Sequence, residues 1–196
     1  GVAIERYAYR PLRTAPRIAP LLSALGVSFF LQNSVLLTMS ARYRSYRAAL
    51  LIPPESGVRF RGVTVSATRI LVIAVALILM LGLQYFVRRT PLGRAMRATA
   101  QDREAAAMMG VDVDRVIVWA FFVGSALAGA AGVLVGILFT QVYHLMGFTA
   151  GLKGFTAAVL GGIGSIPGAM LGGVLLGIVE SIGVGFISPR YKDLIA

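Results

Sequence analysis

Long apolar runs alternate with short polar segments along the 196-residue chain, and these runs predict its secondary structure. A helix that crosses a bilayer needs about 20 consecutive, mostly apolar residues. Four runs satisfy this length, and a further run at 147–165 is short, rich in glycine and interrupted by Lys153. We therefore expect an all-α, polytopic membrane protein with about five spans, of which this glycine-rich one is short or broken. The four longer spans cover about 18–39, 70–87, 116–143 and 166–187.

Basic residues lie mainly between the apolar runs rather than within them. The chain has 19 Lys and Arg against 8 Asp and Glu, which in a soluble protein would suggest a nucleic-acid partner. Here the placement indicates a lipid bilayer instead, because cytoplasmic loops of membrane proteins carry excess Lys and Arg. Ten arginines fall before the first span or within 88–115, and five fall within 40–66. We therefore predict that 88–115 is a cytoplasmic loop, that 40–66 is an external loop, and that no nucleic acid is bound.

The external loop contains two short segments, 58–60 and 63–65, in which apolar and polar residues alternate. Alternation of this kind is typical of paired β-strands. The loop is therefore predicted to form a small hairpin that turns at residues 61 and 62.

Two of the predicted spans carry a small residue at every fourth position. Such stripes let helix backbones approach closely in a bilayer, where lipid supplies no hydrophobic drive. They predict close helix packing within a bundle, and the lining of a translocation path is the sharper alternative. The stripes are Gly124, Ala128, Gly132 and Gly136 in the third span, and Gly173, Gly177, Ser181 and Gly185 in the last.

Glu180 is the one acidic residue within a predicted span. Intramembrane carboxylates are costly and usually face a bundle interior or a cavity. Three interpretations follow. Glu180 contacts the ammonium group of the transported solute, it pairs with Lys153, or it lies hydrated near the membrane surface.

Glycine and proline gather at 161–167, between the last two apolar runs. These residues predict a tight turn between two helices. The alternative is a broken helix whose freed backbone groups line a solute path, since such groups are tolerated in a membrane only under cover.

The polar segment 93–115 separates two predicted spans and has the composition of a short helix. Thr99 and Asp102 are spaced like a capping box, with aspartate in place of the usual glutamate. The alanines at 105–107 favour helix, and Gly110 is a natural stop. The segment is therefore predicted to hold one helix of about two turns.

A helix this short is marginal in water unless it lies on a surface. Met108 and Met109 give it an adaptable apolar contact, so a docking helix is predicted. Asp114 is then expected to cap the span that follows. An ordinary amphipathic connector, resting on its own bundle or on lipid headgroups, is the alternative.

Glu104, Ala105 and Ala106, followed by Gly110, resemble the EAA…G loop by which permeases of ATP-binding-cassette importers engage their ATPase. The isoleucine and the Leu-Pro that usually follow are absent, and Ala120 stands at the isoleucine position. Further segments resemble the LivH-type permeases of high-affinity branched-chain amino acid importers, and the likeness extends over essentially the whole chain. It implies that N-terminal spans and one last span lie outside this sequence. These segments are 4–13, 26–33, 93–98 and 154–173.

The resemblance implies a multi-pass subunit of the bacterial inner membrane that forms a translocation pathway for leucine, isoleucine or valine. Its implied partners are a second permease subunit (a paralogue), two ATPase subunits and a periplasmic amino-acid-binding protein. ATP and Mg²⁺ are then held by the ATPase, and no cofactor by this chain. The residues implied to contact the ATPase are Arg97, Asp102, Arg103, Glu104, Ala105, Ala106 and Gly110.

The sequence offers no catalytic constellation. A phosphate-binding loop needs a lysine followed by serine or threonine after spaced glycines, and the region around Lys153 lacks both the spacing and the hydroxyl. His144 has no second histidine, and the chain has no cysteine, so neither a catalytic residue nor a metal ligand is predicted.

Two other classes of protein fit the apolar pattern. One is an ion-coupled secondary carrier of small amino acids or amides that works without an ATPase, and the other is a structural membrane scaffold. The 93–115 loop discriminates between them and an importer subunit, because a carrier has no use for a short helix that awaits a partner.

Overall fold

The computed structural model describes residues 1–12, 15, 18–40, 42–45, 57–60 and 63–186, and it is built almost wholly from helices. The N-terminal segment forms one helical turn, α1, which continues as a π-helical turn (Glu5–Tyr9) and a 3₁₀ turn (Arg10–Leu12). The chain divides into two units, Gly1–His144 and Leu145–Ala196. The elements are α1 (Val2–Ile4), α2 (Ile18–Met39), β1 (Arg44–Ser45), β2 (Gly57–Phe60), β3 (Val63–Ser66), α3 (Ala67–Arg89), α4 (Pro91–Gln101), α5 (Arg103–Met108), α6 (Val113–Phe139), β4 (Gln141–Val142), α7 (Met146–Leu160) and α8 (Ile166–Phe186).

Four of the described helices, α2, α3, α6 and α8, are long and apolar enough to cross a membrane. The most apolar of these helices is α3. Its 18 most apolar consecutive residues have a mean hydropathy of 2.7, and none of them is buried within the chain. Apolar side chains on such outward faces are suited to lipid or to neighbouring helices. Helix α7 is apolar but has only 15 residues. The prediction of an all-α, polytopic membrane protein is confirmed.

The helix limits follow the predicted spans within three residues except at two ends. Helix α7 stops at Leu160, five residues before the predicted limit of 165, because the glycine turn follows it directly. Helix α6 runs from Val113 to Phe139, whereas its span was predicted at 116–143. Thr140 turns the backbone into the left-handed region, with φ 55°, and the next two residues form β4. The predicted span was too long at this end because β4 pairs with β1. This pairing gives the backbone N–H and C=O groups of β4 hydrogen-bond partners without a helix. Ile187, the predicted end of the last span, lies outside the described residues.

Two short antiparallel strand pairs belong to the first unit. The hairpin predicted at 58–65 is present, with Val58 opposite Val65 and Phe60 opposite Val63, although residues 61 and 62 are not described. The second pair, β1 with β4, was not predicted. It joins segments that are distant in sequence. Beside it, the ring centroids of Tyr43 and Tyr143 lie 5.5 Å apart.

Helix α4 folds back tightly on the end of α3. Thr90, between them, is extended, as expected for a residue before proline, and its hydroxyl accepts a hydrogen bond from Gly93 N at 3.0 Å. A Cβ on Gly93 would overlap the carbonyl oxygens of Phe86 and Val87. Only glycine permits this approach, so α3 and α4 are held as one rigid corner.

The second unit is a hairpin of α7 and α8. Its turn needs glycine, because Gly162 and Gly164 have φ angles of 88° and 100°. Ser165 Oγ then accepts a hydrogen bond from Gly168 N at 3.1 Å and caps α8. Of the two interpretations of 161–167, the structure shows the tight turn, and α7 is short but unbroken.

Glycines hold the two helices of this hairpin together. A Cβ on Gly168 would overlap the Gly161 carbonyl oxygen, and one on Gly172 would overlap the Ala157 carbonyl oxygen. The backbones therefore touch without intervening side chains, which maximises dispersion contact.

The predicted stripe of α8 lies beside this contact line rather than on it. Gly173 is half-buried, whereas Gly177, Ser181 and Gly185 are exposed, and a Cβ on Gly177 would meet nothing within 4 Å. The turn sets the rotation of α8 about its own axis. The residues of α8 that contact α7 therefore precede those of the stripe by one position. In α6, Gly136 is buried, while Gly124, Ala128 and Gly132 are exposed. A role for either stripe against another span or along a solute path stays a prediction.

Gly172→Ala is expected to destabilise the hairpin by about 1–3 kcal/mol, because the added Cβ must push the helices apart. Gly151→Ala in α7 is the matched control, since a Cβ there would meet nothing within 4 Å. Thermal unfolding of the two variants in detergent tests this contact. Equal melting temperatures for the two variants would contradict it.

Candidate functional site

The polar segment between α3 and α6 contains two helices rather than the one that was predicted. Helix α4 is amphipathic: Met96 and Thr99 face inward, and Arg94 and Arg97 are exposed. Thr99 lies within α4 and is only 6% exposed, so the prediction that it opens the docking helix is wrong. Its spacing to Asp102 imitates a capping box, but the backbone turns only at Asp102, which has φ −152° and ψ 116°.

Helix α5 is the short helix for which docking was predicted, and the backbone groups at both of its ends are satisfied locally. Asp102 Oδ1 accepts hydrogen bonds from Glu104 N at 2.9 Å and from Ala105 N at 3.1 Å. At the other end, Gly110 N donates to Ala107 O at 3.0 Å, and Val111 N donates to Ala106 O at 3.0 Å. This pair of bonds is a Schellman motif, which requires a left-handed residue.

Gly110 supplies that left-handed residue, with φ 82°. Glycine adopts this conformation without the steric cost that a Cβ brings. The prediction that Gly110 stops the helix is therefore confirmed. Its position fixes where the chain leaves α5 for α6.

The side chains of α5 are turned mostly away from the protein. Ala106 is 5% exposed and is the one buried residue of the helix. Met108 and Met109, by contrast, are 86% and 85% exposed. Two almost fully exposed methionines on a charged loop form an adaptable apolar contact that nothing in the described chain covers.

The loop that carries the two methionines also exposes charged side chains. Of the residues implied to contact an ATPase, Arg97, Arg103 and Glu104 are exposed and available to a partner. The remaining ones, Asp102, Ala105, Ala106 and Gly110, build and position the helix. The loop thus exposes both apolar and charged side chains, two kinds of group that protein–protein contacts commonly use.

Asp112, and not Asp114, caps the beginning of α6. Asp112 Oδ1 accepts a hydrogen bond from Arg115 N at 3.1 Å, and its other oxygen lies 2.9 Å from Arg115 Nε. Asp114 is already in the first turn of the helix and pairs with Arg10 at 3.7 Å. The predicted cap was therefore two residues late, because both aspartates precede the apolar run and only the backbone angles distinguish them.

An ion pair between its two apolar helices is the main polar feature of the described part of the second unit. Lys153 Nζ lies 2.8 Å from Glu180 Oε1, and the two side chains are 27% and 15% exposed. Of the interpretations given to Glu180, pairing with Lys153 is the one that the structure shows. The pair joins the middle of α7 to α8, beyond the glycine contacts.

His144 lies beside Tyr143, and its Nδ1 is buried without a hydrogen-bond partner among the described residues. Within that part of the chain, no group of three or more His, Cys, Asp or Glu side chains is placed to hold a metal ion. The described geometry therefore offers contact surfaces and, between the two helices of the second unit, the Lys153–Glu180 ion pair.

Taken together, these helices define a multi-pass membrane protein with one capped, outward-facing helix on a charged loop. A family model described as "Branched-chain amino acid transport system / permease component" matches residues 8–196. No solved structure matches the chain significantly.

Three curated relatives illustrate the similarity. The high-affinity branched-chain amino acid transport system permease protein BraD of Pseudomonas aeruginosa is 45% identical over 199 residues, covering 100% of this chain and 64% of that protein. The corresponding permease protein LivH of Escherichia coli is 41% identical over 200 residues, with the same coverage. A probable branched-chain amino acid transport permease protein LivH of Methanocaldococcus jannaschii is 30% identical over 117 residues, covering 60% of this chain and 37% of that protein.

The chain belongs to the family of branched-chain amino acid transport system permease components, as the resemblance implied. It is a multi-pass protein of the bacterial inner membrane. It spans 64% of the length of the BraD and LivH relatives.

Sequence reasoning missed α4 as a separate helix, although a signal for it was present. Thr90 followed by Pro91 is a cap followed by a proline at the first helical position, which is where proline is favoured. The apolar residues Leu92 and Met96 then recur at helical spacing. The charged composition of 93–115 concealed this pattern.

Asp102→Ala is expected to loosen α5 by about 1 kcal/mol, because two amides lose their acceptor. Amide hydrogen exchange at residues 104 and 105 should then quicken about fivefold. Asp102→Asn is the control, since asparagine also accepts at this position and should preserve slow exchange. Similar exchange rates in the alanine variant and the wild type would show that Asp102 does not cap the helix.

Proposed function

We propose that this chain is the membrane-spanning part of a permease subunit in an ATP-driven importer of branched-chain amino acids. In this proposal its helices contribute to the translocation pathway, and 93–115 couples it to a separate ATPase. The names of the BraD and LivH relatives support the class of solute. The observation that carries the coupling is α5, a capped helix that presents Met108 and Met109 almost fully exposed.

A short helix is suited to transmit force if its shape is fixed before the partner arrives. Both ends of α5 are closed by hydrogen bonds, so binding need not order the backbone, and less entropy is lost on association. The methionines supply apolar contact, while Arg97, Arg103 and Glu104 set the orientation of the partner through charge.

Motion at α5 has a direct route to the apolar helices. Helix α4 is in contact with α3, α5 and α6, and α5 also packs on α6 through the turn at 109–112. Gly93 fixes α4 to the end of α3 by backbone contact. A push on α5 by an ATPase is therefore expected to move α3 and α6 together.

ATP and Mg²⁺ are proposed to bind to the ATPase and not to this chain, which supplies no phosphate-binding loop. The further proposed partners are a second ATPase subunit, a paralogous permease and a periplasmic amino-acid-binding protein. Cytoplasmic placement of 88–115 and external placement of 40–66 are part of the same proposal, since an ATPase works on the cytoplasmic side.

Met108→Asp is expected to lower co-purification of the ATPase with the full-length permease at least about tenfold, because a carboxylate then enters an apolar contact. ATP-driven leucine uptake by vesicles that contain the whole importer should fall in parallel. Met108→Leu, which keeps an apolar side chain of similar volume, is the control and should preserve both.

Retention of the ATPase by Met108→Asp would contradict docking through α5. Uptake that follows a proton or sodium gradient without any nucleotide would instead support an ion-coupled carrier. The two measurements together therefore separate the leading proposal from its main alternative.

A further inference from the structure

The ion pair of Lys153 and Glu180 is held by the geometry of the α7–α8 hairpin. The register of the glycine contacts places Lys153 one turn nearer the hairpin turn than Glu180. Side chains on a helix lean toward its N-terminus, so in an antiparallel hairpin these two lean toward each other. This explains how they meet at 2.8 Å across the helix interface.

The hairpin does not need this ion pair for its cohesion. Gly161, Gly168 and Gly172 already bring the two backbones into contact near the turn. Removing two charges from water is costly, and apolar residues of similar volume often stabilise a protein as well as a buried ion pair does. A pair of charges on two apolar helices, one of them long and apolar enough to cross a membrane, therefore points to a role in function.

The ion pair of Lys153 and Glu180 is also only partly buried. Lys153 retains 27% and Glu180 retains 15% of their side-chain exposure in an otherwise apolar hairpin. Next to Glu180 on α8, Gly177 and Ser181 are exposed, and a Cβ on Gly177 would meet nothing within 4 Å. Small residues thus leave open space along one edge of the pair.

Hydroxyl groups line the other helix at the same level. Thr149 and Thr156 lie one turn before and one turn after Lys153, and both are half-buried. Their hydroxyls donate to carbonyl oxygens of their own helix, at 3.1 Å to Met146 O and 3.0 Å to Leu152 O. A hydroxyl that donates can also accept, so α7 presents a polar band around the lysine.

We propose that Lys153 and Glu180 form the binding site for the zwitterionic head of an α-amino acid solute. The ammonium group of the solute pairs with Glu180, its carboxylate pairs with Lys153, and its side chain lies over the small residues of α8. This inference rests on the proposed function. One internal ion pair is exchanged for two, and no covalent bond changes.

Charge balance explains why a pair, rather than a single charge, suits this position. The Lys153–Glu180 ion pair sums to zero charge, and so does a zwitterion, so binding of the solute adds no net charge to the hairpin. An amine or a carboxylic acid with the same side chain would engage only one of the two protein charges, while it displaces the other from their ion pair. The site therefore selects solutes that carry both groups.

The test is the double variant Lys153→Leu and Glu180→Leu in the complete importer, reconstituted in vesicles with its ATPase and a leucine-loaded binding protein. Because both members of the ion pair are removed together, neither is left facing a missing partner across the hairpin, and the hairpin should fold. We expect ATP hydrolysis stimulated by the binding protein to persist, while leucine uptake per ATP hydrolysed falls at least about tenfold. Leu152→Met with Val179→Leu, adjacent and exposed, is the matched control and should transport normally.

If the double variant fails to assemble into the importer, the charge-exchanged variant Lys153→Glu with Glu180→Lys is used in its place. This variant keeps an ion pair between the helices, but it reverses the orientation of a bound solute, so uptake should fall similarly. Unchanged uptake in either variant, with normal uptake in the wild type, would overturn this inference alone. Absence of ATP-driven leucine uptake in the wild type would overturn the proposed function, and this inference with it.

Discussion

A helix of six residues has almost no stability of its own in water, because its first turn costs more conformational entropy than a few hydrogen bonds return. In α5 this constraint is met by groups built into the sequence at both ends. Asp102 accepts from two amides at the start, and the Schellman motif around Gly110 satisfies two carbonyls at the end. The backbone is thereby fixed while Met108 and Met109 stay uncovered, and the proposed coupling depends on that combination.

The contacts on either side of α5 matter for the proposed coupling, because they connect this small helix to α3 and α6. A loop that was merely tethered would absorb any push from a partner as local motion. Here Gly93 locks α4 to the end of α3, and Asp112 caps α6 directly after the left-handed turn at Gly110 has closed α5. In the proposed coupling, these connections on either side of α5 carry its displacement to α3 and α6.

Hydropathy and alternation predicted the apolar helices and the strands at 58–65, because these patterns report average burial over many residues. Features that depend on one residue's backbone angles were harder to predict. Thr99 and Asp102, like Asp112 and Asp114, are chemically equivalent candidates for a cap until the chain turn is known. The contact line through Gly172 was missed for a similar reason, since the turn geometry sets the rotation of α8. The coupling residues stay predictions, because their contacts lie in another molecule.

The most direct measurement is chemical labelling of a single thiol on α5. These 196 residues contain no cysteine, so among them Met109→Cys introduces one reactive group, at the exposed C-cap of α5. A membrane-impermeant maleimide should label this thiol in inside-out vesicles that lack the ATPase, and the bound ATPase should protect it. Labelling from the external side, or equal labelling with and without the ATPase, would contradict the account.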